Sequence, residues 1–211
     1  MVYRDLSEYI AELDRRGLLF NIGRPIVKET ELFPLVRLQF RGLPEDQRRA
    51  FLFSDVRDIN GKKYDAQVCV GVLAASLRVY AVGMECKPEE IEEKWIHALR
   101  SPIEPKQISS GPAQDVVVEG EELEEKGLSE IPVPVELPGY SCQIRTTTAI
   151  VTKDIETGVQ NAGIYSGQIF GSRKILWEIQ RGRDAFTHLR KAARKGLPLD
   201  AAIIVGGPPS V

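Results

Sequence analysis

The run from Thr146 to Gln168, T-T-T-A-I-V-T-K-D-I-E-T-G-V-Q-N-A-G-I-Y-S-G-Q, most constrains what this chain can fold into. Thr147, Ala149 and Val151 alternate with Thr148, Ile150 and Thr152, a β-branched pattern of period two that suits a pleated strand. Asp154 to Gly158 supplies turn chemistry, with a charged tip, a Thr and a Gly free to take positive φ. A second strand is predicted from Val159 to Ile169, carrying Asn161 among the small residues Ala162, Gly163, Ser166 and Gly167. Small residues inside a strand mean that something comes close to the backbone. That can be a tight barrel corner, a closely packed strand or a ligand.

Composition narrows the class. The chain has 211 residues and a formal net charge of −2, so no electrostatic argument favours nucleic acid or an anionic membrane. No apolar run approaches the roughly 18 residues of a membrane span. The N-terminus reads as an amphipathic helix of mixed charge rather than a signal peptide, which points to the cytoplasm. Cys69, Cys86 and Cys142 are odd in number and far apart. They read as reduced thiols, not as a disulfide set or a zinc site.

Leu6, Tyr9, Ile10 and Leu13 recur at helical spacing, with Asp5 or Ser7 to cap the start and Gly17 to stop the helix. Strands are predicted at Leu18 to Ile22, Ala50 to Val56 and Ala66 to Val72, the last apolar enough to be central. Helices are predicted at Glu29 to Phe40, Ala74 to Val82 and from Pro88, where Ile91, Trp95, Ala98 and Leu99 form a buried stripe. This alternation argues for an N-terminal α/β domain over residues 1–105. Over residues 106–211 the chain reads as an incomplete, split β-barrel, so the whole is α+β. Asp115 to Glu119 is a short strand, Gly120 to Glu130 a solvated turn and helix, and strands dominate from Gln143 to Leu176. Asp184 caps a helix to Lys195 with Phe186, Leu189, Ala192 and Ala193 inside, and Leu199 to Val205 is a buried strand.

The pattern T-x-K-D-x-E-T-G-V-x-N-x-G-I-Y, followed by G-L-P-L-D-A-A-I-I-V-G-G-P-P, resembles the UbiD-like family of prenylated-FMN-dependent decarboxylases. Arg4-Asp-Leu at the start and Ile131-Pro-Val-Pro134 before Pro138-Gly139 are similar too. The resemblance covers nearly all of this chain but only the front portion of a usual member. It implies that Asn161 binds a divalent metal, manganese or magnesium, that also holds the flavin phosphate. Potassium is a further implied ion. An amide oxygen is the hard, neutral ligand that such a cation accepts. Thr146 and the backbone around Ile164 and Tyr165 would lie along the cofactor. Arg173, Lys174, Arg181 and Arg183 form a basic group near its rim that reads either as an exposed turn or as a phosphate- or acidic-substrate-binding group, with Arg181 the candidate cofactor contact.

The chain departs from the family in three ways. Ser166 stands where the family has an Arg, and a Ser cannot pair bidentately with a carboxylate. No His lies between Ile169 and Asp184, which leaves Glu178 or Asp184 as substitute metal ligands. The family's metal-binding Glu and acid-base Glu fall beyond residue 211. No catalytic residue is therefore assigned here, and His97 and His188 read as structural or surface residues.

The resemblance implies part, or a split subunit, of a decarboxylase or carboxylase acting on an α,β-unsaturated or aromatic carboxylic acid. Two alternatives are a non-catalytic subunit of a larger carboxylase and a small split-barrel FMN-binding protein. The strand Leu199 to Val205 and the apolar side of Ile164 to Phe170 need cover, so a homo- or hetero-oligomer with another UbiD-like chain is expected.

Overall fold

The computed structural model describes residues 3–136, 143–144 and 148–209. Thr146, Thr147, Cys142, Pro138 and Gly139 lie outside the described residues.

Helix α1 (Leu6–Arg15) forms where the apolar spacing requires it, with the Asp5 carboxylate accepting from the Glu8 backbone N–H at 2.8 Å. It stops because Gly17 takes φ 66°, a left-handed turn that costs a glycine little. Strands β1 (Leu19–Ile22) and β2 (Ile26–Val27), helix α2 (Leu32–Gly42), and strands β3 (Ala50–Phe53), β4 (Val56–Arg57) and β5 (Val68–Val70) follow. Helices α3 (Leu77–Gly83) and α4 (Ile91–Arg100) complete this half. The sheet order is β1-β3-β5, with β1 parallel and β5 antiparallel to β3, while β2 and β4 pair in parallel. Tyr9 is fully buried, and its hydroxyl lies 2.7 Å from the Val72 carbonyl and 2.9 Å from that of Val79. It thereby ties α1 to the loop after β5 and to α3.

Two expectations fail in this half. The strand predicted at Ala66 to Val72 is the edge strand β5, and the Phe-rich β3 is central. The stripe on α4 is not buried: Trp95 is 47% and Leu99 75% exposed. Periodicity identifies an apolar face without identifying what covers it.

The prolines after residue 100 keep the chain irregular, and the strand predicted at Asp115 to Glu119 does not form. Helix α5 (Leu123–Lys126) sits between short 3-10 turns. The extended Pro132–Pro134 segment then docks on the first half. Val133 and Val135 are buried there, the Val135 N–H donates to the Lys28 carbonyl at 3.1 Å, and Lys62 pairs with Glu130.

Strands β6 (Gln143–Ile144), β7 (Thr148–Lys153), β8 (Gln160–Ile164), β9 (Ser166–Ile169) and β10 (Ile175–Glu178), helix α6 (Asp184–Arg194) and strand β11 (Ala201–Val205) make the second half. They form two three-stranded antiparallel sheets, β11-β7-β8 and β10-β9-β6. The chain is thus a mixed α+β fold, and among the described residues no sheet closes into a barrel. The single strand predicted from Val159 to Ile169 divides at Tyr165, and its two parts join different sheets. β11 pairs with β7 but is largely exposed, not buried, with Val205 54% accessible. Asp184 is the first helical residue of α6 and not its cap, which is Arg183. The inner face of α6 is Ala185, His188 and Ala192, while Leu189 is exposed.

Candidate functional site

The hairpin β7–β8 sets the geometry of the site. Its turn closes as the sequence predicts, with the Gly158 N–H on the Asp154 carbonyl at 2.8 Å and Gly158 at φ 76°. Ile150 and Thr152 on β7, and Asp154 just after it, are buried at period two, and α6 lies over this face. The helix matches that spacing with its own. His188 Nδ1 lies 2.9 Å from Thr152 Oγ1, and Lys191 Nζ lies 2.6 Å from Asp154 Oδ2. The Ala185 N–H points at Tyr165 Oη at 3.4 Å. The small side chains of Ala185 and Ala192, both fully buried, let the helix sit close to the strands.

Asn161 pairs directly with Thr152 across the ladder, which places both side chains on the α6 side of the sheet. It is half-buried, and its amide nitrogen lies 3.5 Å from Tyr165 Oη. Tyr165 is buried, packs edge-on against Trp177 with ring centroids 5.3 Å apart, and carries the Arg183 guanidinium 5.3 Å above its ring. Arg183 also donates to the Ile164 carbonyl at 3.3 Å. Ile164 itself pairs with Ala149, so its side chain points to the opposite face from Asn161 and is 53% exposed.

The small residues around Asn161 are explained by protein packing. A Cβ on Gly163 would stand 2.6 Å from the Tyr165 ring, so the glycine makes room for that ring. A Cβ on Gly167 would meet Ile175 at 3.0 Å and the Leu176 carbonyl at 3.2 Å, both on the neighbouring strand β10. The close approach that the sequence implies is made by the chain to itself.

Among the described residues no group of three or more His, Cys, Asp or Glu side chains could hold a metal ion. Glu178 is exposed on β10 in the other sheet, where it pairs in register with Ser166. A divalent cation at Asn161 would therefore find one amide oxygen, and the described residues do not by themselves fit a metal. Exposed Arg181 and Arg183 stand just before α6, where a guanidinium suits a phosphate. The helix start adds little, because the Ala185 N–H is on Tyr165 Oη, the Phe186 and Thr187 N–H groups are on the Arg183 carbonyl, and Asp184 puts a carboxylate in the first turn. The basic group does not act as one cluster, because Arg173 pairs with Glu124 at 2.6 Å. Sequence reasoning missed the partnership of Thr152 with His188 and the packing of Trp177 on Tyr165. Neither has a local signature, since each joins residues distant in the chain.

The site and fold together define a class: a mixed α+β chain whose second half presents a hairpin, a covering helix and an Asn on the covered face. A family model described as UbiD, 3-octaprenyl-4-hydroxybenzoate carboxy-lyase Rift-related domain, matches residues 106–211. The chain belongs to the UbiD family. An uncharacterized protein of Synechocystis sp. is 30% identical over 233 residues, covering 99% of this chain and 44% of that protein. The evolved dimeric form of the UbiD-class enzyme HmfF from Pelotomaculum thermopropionicum, in complex with prFMN, superposes with a TM-score of 0.81 at 22% identity. That match covers 99% of this chain and 45% of the HmfF chain. The closed form of Sedimentibacter hydroxybenzoicus vanillic acid decarboxylase gives a TM-score of 0.84 at 21% identity, over 99% of this chain and 44% of that one. At these identities the structures establish the fold. The chain spans about 44% of the curated relatives it matches.

Proposed function

We propose that this chain is the cofactor-holding portion of a prenylated-FMN-dependent decarboxylase or carboxylase. It acts with further protein, as part of a longer polypeptide or beside another UbiD-like chain in an oligomer. Residues 1–105 form its α/β domain and residues 106–211 a split barrel that this further protein completes. The observation that carries the reading is Asn161, fixed on the covered face of the family's hairpin by Thr152 across the ladder and Tyr165 beside it. Asn161 and the backbone of Ile164 and Tyr165 hold the flavin, Thr146 lies along it, and Arg181 neutralises its phosphate. A bound prenylated flavin supplies the electron sink for loss of carbon dioxide from an α,β-unsaturated or aromatic carboxylic acid. Manganese or magnesium at Asn161 and Glu178, and any potassium, require ligands from outside the described residues, as does the proton donor. No helix among the described residues is long and apolar enough to cross a membrane, and the proposed location is the cytoplasm.

A second reading, a non-catalytic subunit of a larger carboxylase, is favoured by one observation. Ser166, at the position of the family's Arg, is exposed and faces Glu178 across the β9–β10 ladder, so no cation is presented there.

Co-expression of the chain with a flavin prenyltransferase and its chromosomal neighbours tests both. The expected outcome is a complex whose absorption spectrum and mass report prenylated flavin, lost in Asn161→Ala, with no decarboxylation by residues 1–211 alone. Full flavin occupancy in Asn161→Ala would make Asn161 structural. A complex without flavin would favour the non-catalytic subunit.

A further inference from the structure

The two ends of the Asn161 carboxamide have different surroundings. Its nitrogen points at Tyr165 Oη, 3.5 Å away. Its Oδ1 accepts no hydrogen bond among the described residues, yet it is not sealed inside the chain, so solvent reaches it. Thr152, directly across the ladder, does not compete for the amide, because its hydroxyl is engaged with His188 Nδ1 at 2.9 Å.

Tyr165 makes the difference between the two ends. Its ring is fixed on three sides. A Cβ at Gly163 would stand 2.6 Å from Cε2, Trp177 meets the ring edge-on at 5.3 Å, and the Arg183 guanidinium lies 5.3 Å above it. The hydroxyl oxygen also takes the Ala185 N–H at 3.4 Å, and Ala185 is fully buried under α6. Both hydrogen bonds are long, so ring packing, more than their strength, keeps Oη beside the amide nitrogen.

We propose that Tyr165 is a positioning residue whose hydroxyl holds the Asn161 amide nitrogen inward and so presents Oδ1 to the cofactor. The proposal rests on Asn161 being a flavin contact, as proposed above. An outward Oδ1 is an acceptor. A hydroxyl, an N–H or a cation can meet it, whereas a phosphate oxygen, itself an acceptor, cannot. Asn161 therefore does not touch the flavin phosphate directly, and that contact is left to Arg181. The opposite arrangement, with Oδ1 on the Tyr165 hydroxyl proton and the NH2 outward, would present a donor instead.

Tyr165→Phe separates the two, because it keeps the ring on Gly163 and Trp177 and removes only the hydroxyl. In the 211-residue chain carrying isotope-labelled asparagine, the side-chain NH2 signals of Asn161 can be assigned by their loss in Asn161→Ala. They should shift in Tyr165→Phe, with exchange against water about ten-fold faster. In the co-expressed complex, Tyr165→Phe should speed release of the prenylated flavin about ten-fold. In an Asn161→Asp background the same change should alter release by no more than about two-fold, because a carboxylate turns an oxygen outward in either orientation. Equal acceleration in both backgrounds would overturn the proposal and make Tyr165 a packing residue. Asn161 signals left unmoved by Tyr165→Phe would overturn it as well. A complex without flavin would defeat the reading of Asn161 as a cofactor contact, and the NH2 signals alone would then decide whether Tyr165 orients the amide.

Discussion

The ring of Tyr165 lies over Gly163, so closely that a Cβ at residue 163 would stand 2.6 Å from Cε2 and 3.0 Å from the hydroxyl oxygen. The two residues belong to one motif, and their contact is what brings the hydroxyl to Asn161 and to the first turn of α6.

Gly163→Ala should therefore displace the Tyr165 ring from Trp177 and from α6. Overpacking of this kind costs about 1–3 kcal/mol. Denaturant unfolding should report that loss, and Tyr165→Ala combined with Gly163→Ala should be less destabilised than the sum of the single changes. Strict additivity would mean that the ring does not occupy the space above Gly163.

Thr152 and His188 form a buried pair, 2% and 6% exposed, joined by their 2.9 Å hydrogen bond. Thr152→Val keeps the shape and leaves His188 Nδ1 without its partner. The expected loss is about 1–3 kcal/mol in guanidinium unfolding, because a buried polar group left unpaired bears its desolvation penalty. His188→Leu on top of Thr152→Val should recover part of it.

Asp154 sits at the hairpin turn with its side chain 8% exposed. The Lys191 ammonium and then the Glu156 backbone N–H hold its carboxyl down, from an ordinary 3.8 to about 2. A depressed carboxylate contributes stability that is fully present above its unfolded value and lost as pH falls through its folded value. That contribution should disappear between about pH 4 and pH 2. Carboxyl NMR titration of the wild type against Lys191→Met checks it, and the variant should titrate closer to the ordinary value. An unchanged midpoint would show that Lys191 does not hold the group.

Much of this architecture was legible residue by residue. The Asp5 cap and the Gly17 stop of α1, the Asp154 to Gly158 turn and the β7 alternation are local, and local chemistry decides them. The family motif around Asn161 was legible for the same reason. The burial assigned to α4, to β11 and to Leu189 was not, because a periodic apolar face marks what could be covered and never the thing that covers it.

The sequence alone determined the cap and stop of α1, the Asp154 to Gly158 turn and the alternation along β7, and that Asn161 stands on a hairpin strand. Only the tertiary structure decided which side of that strand matters. The break at Tyr165 sends β8 and β9 into separate sheets and folds the Tyr165 ring onto Gly163. It also brings Thr152 to His188 and Asp154 to Lys191 across more than thirty residues of chain. Strand periodicity is set by nearest neighbours along the backbone, whereas the choice of face is made by whichever distant element, here α6, removes that face from water.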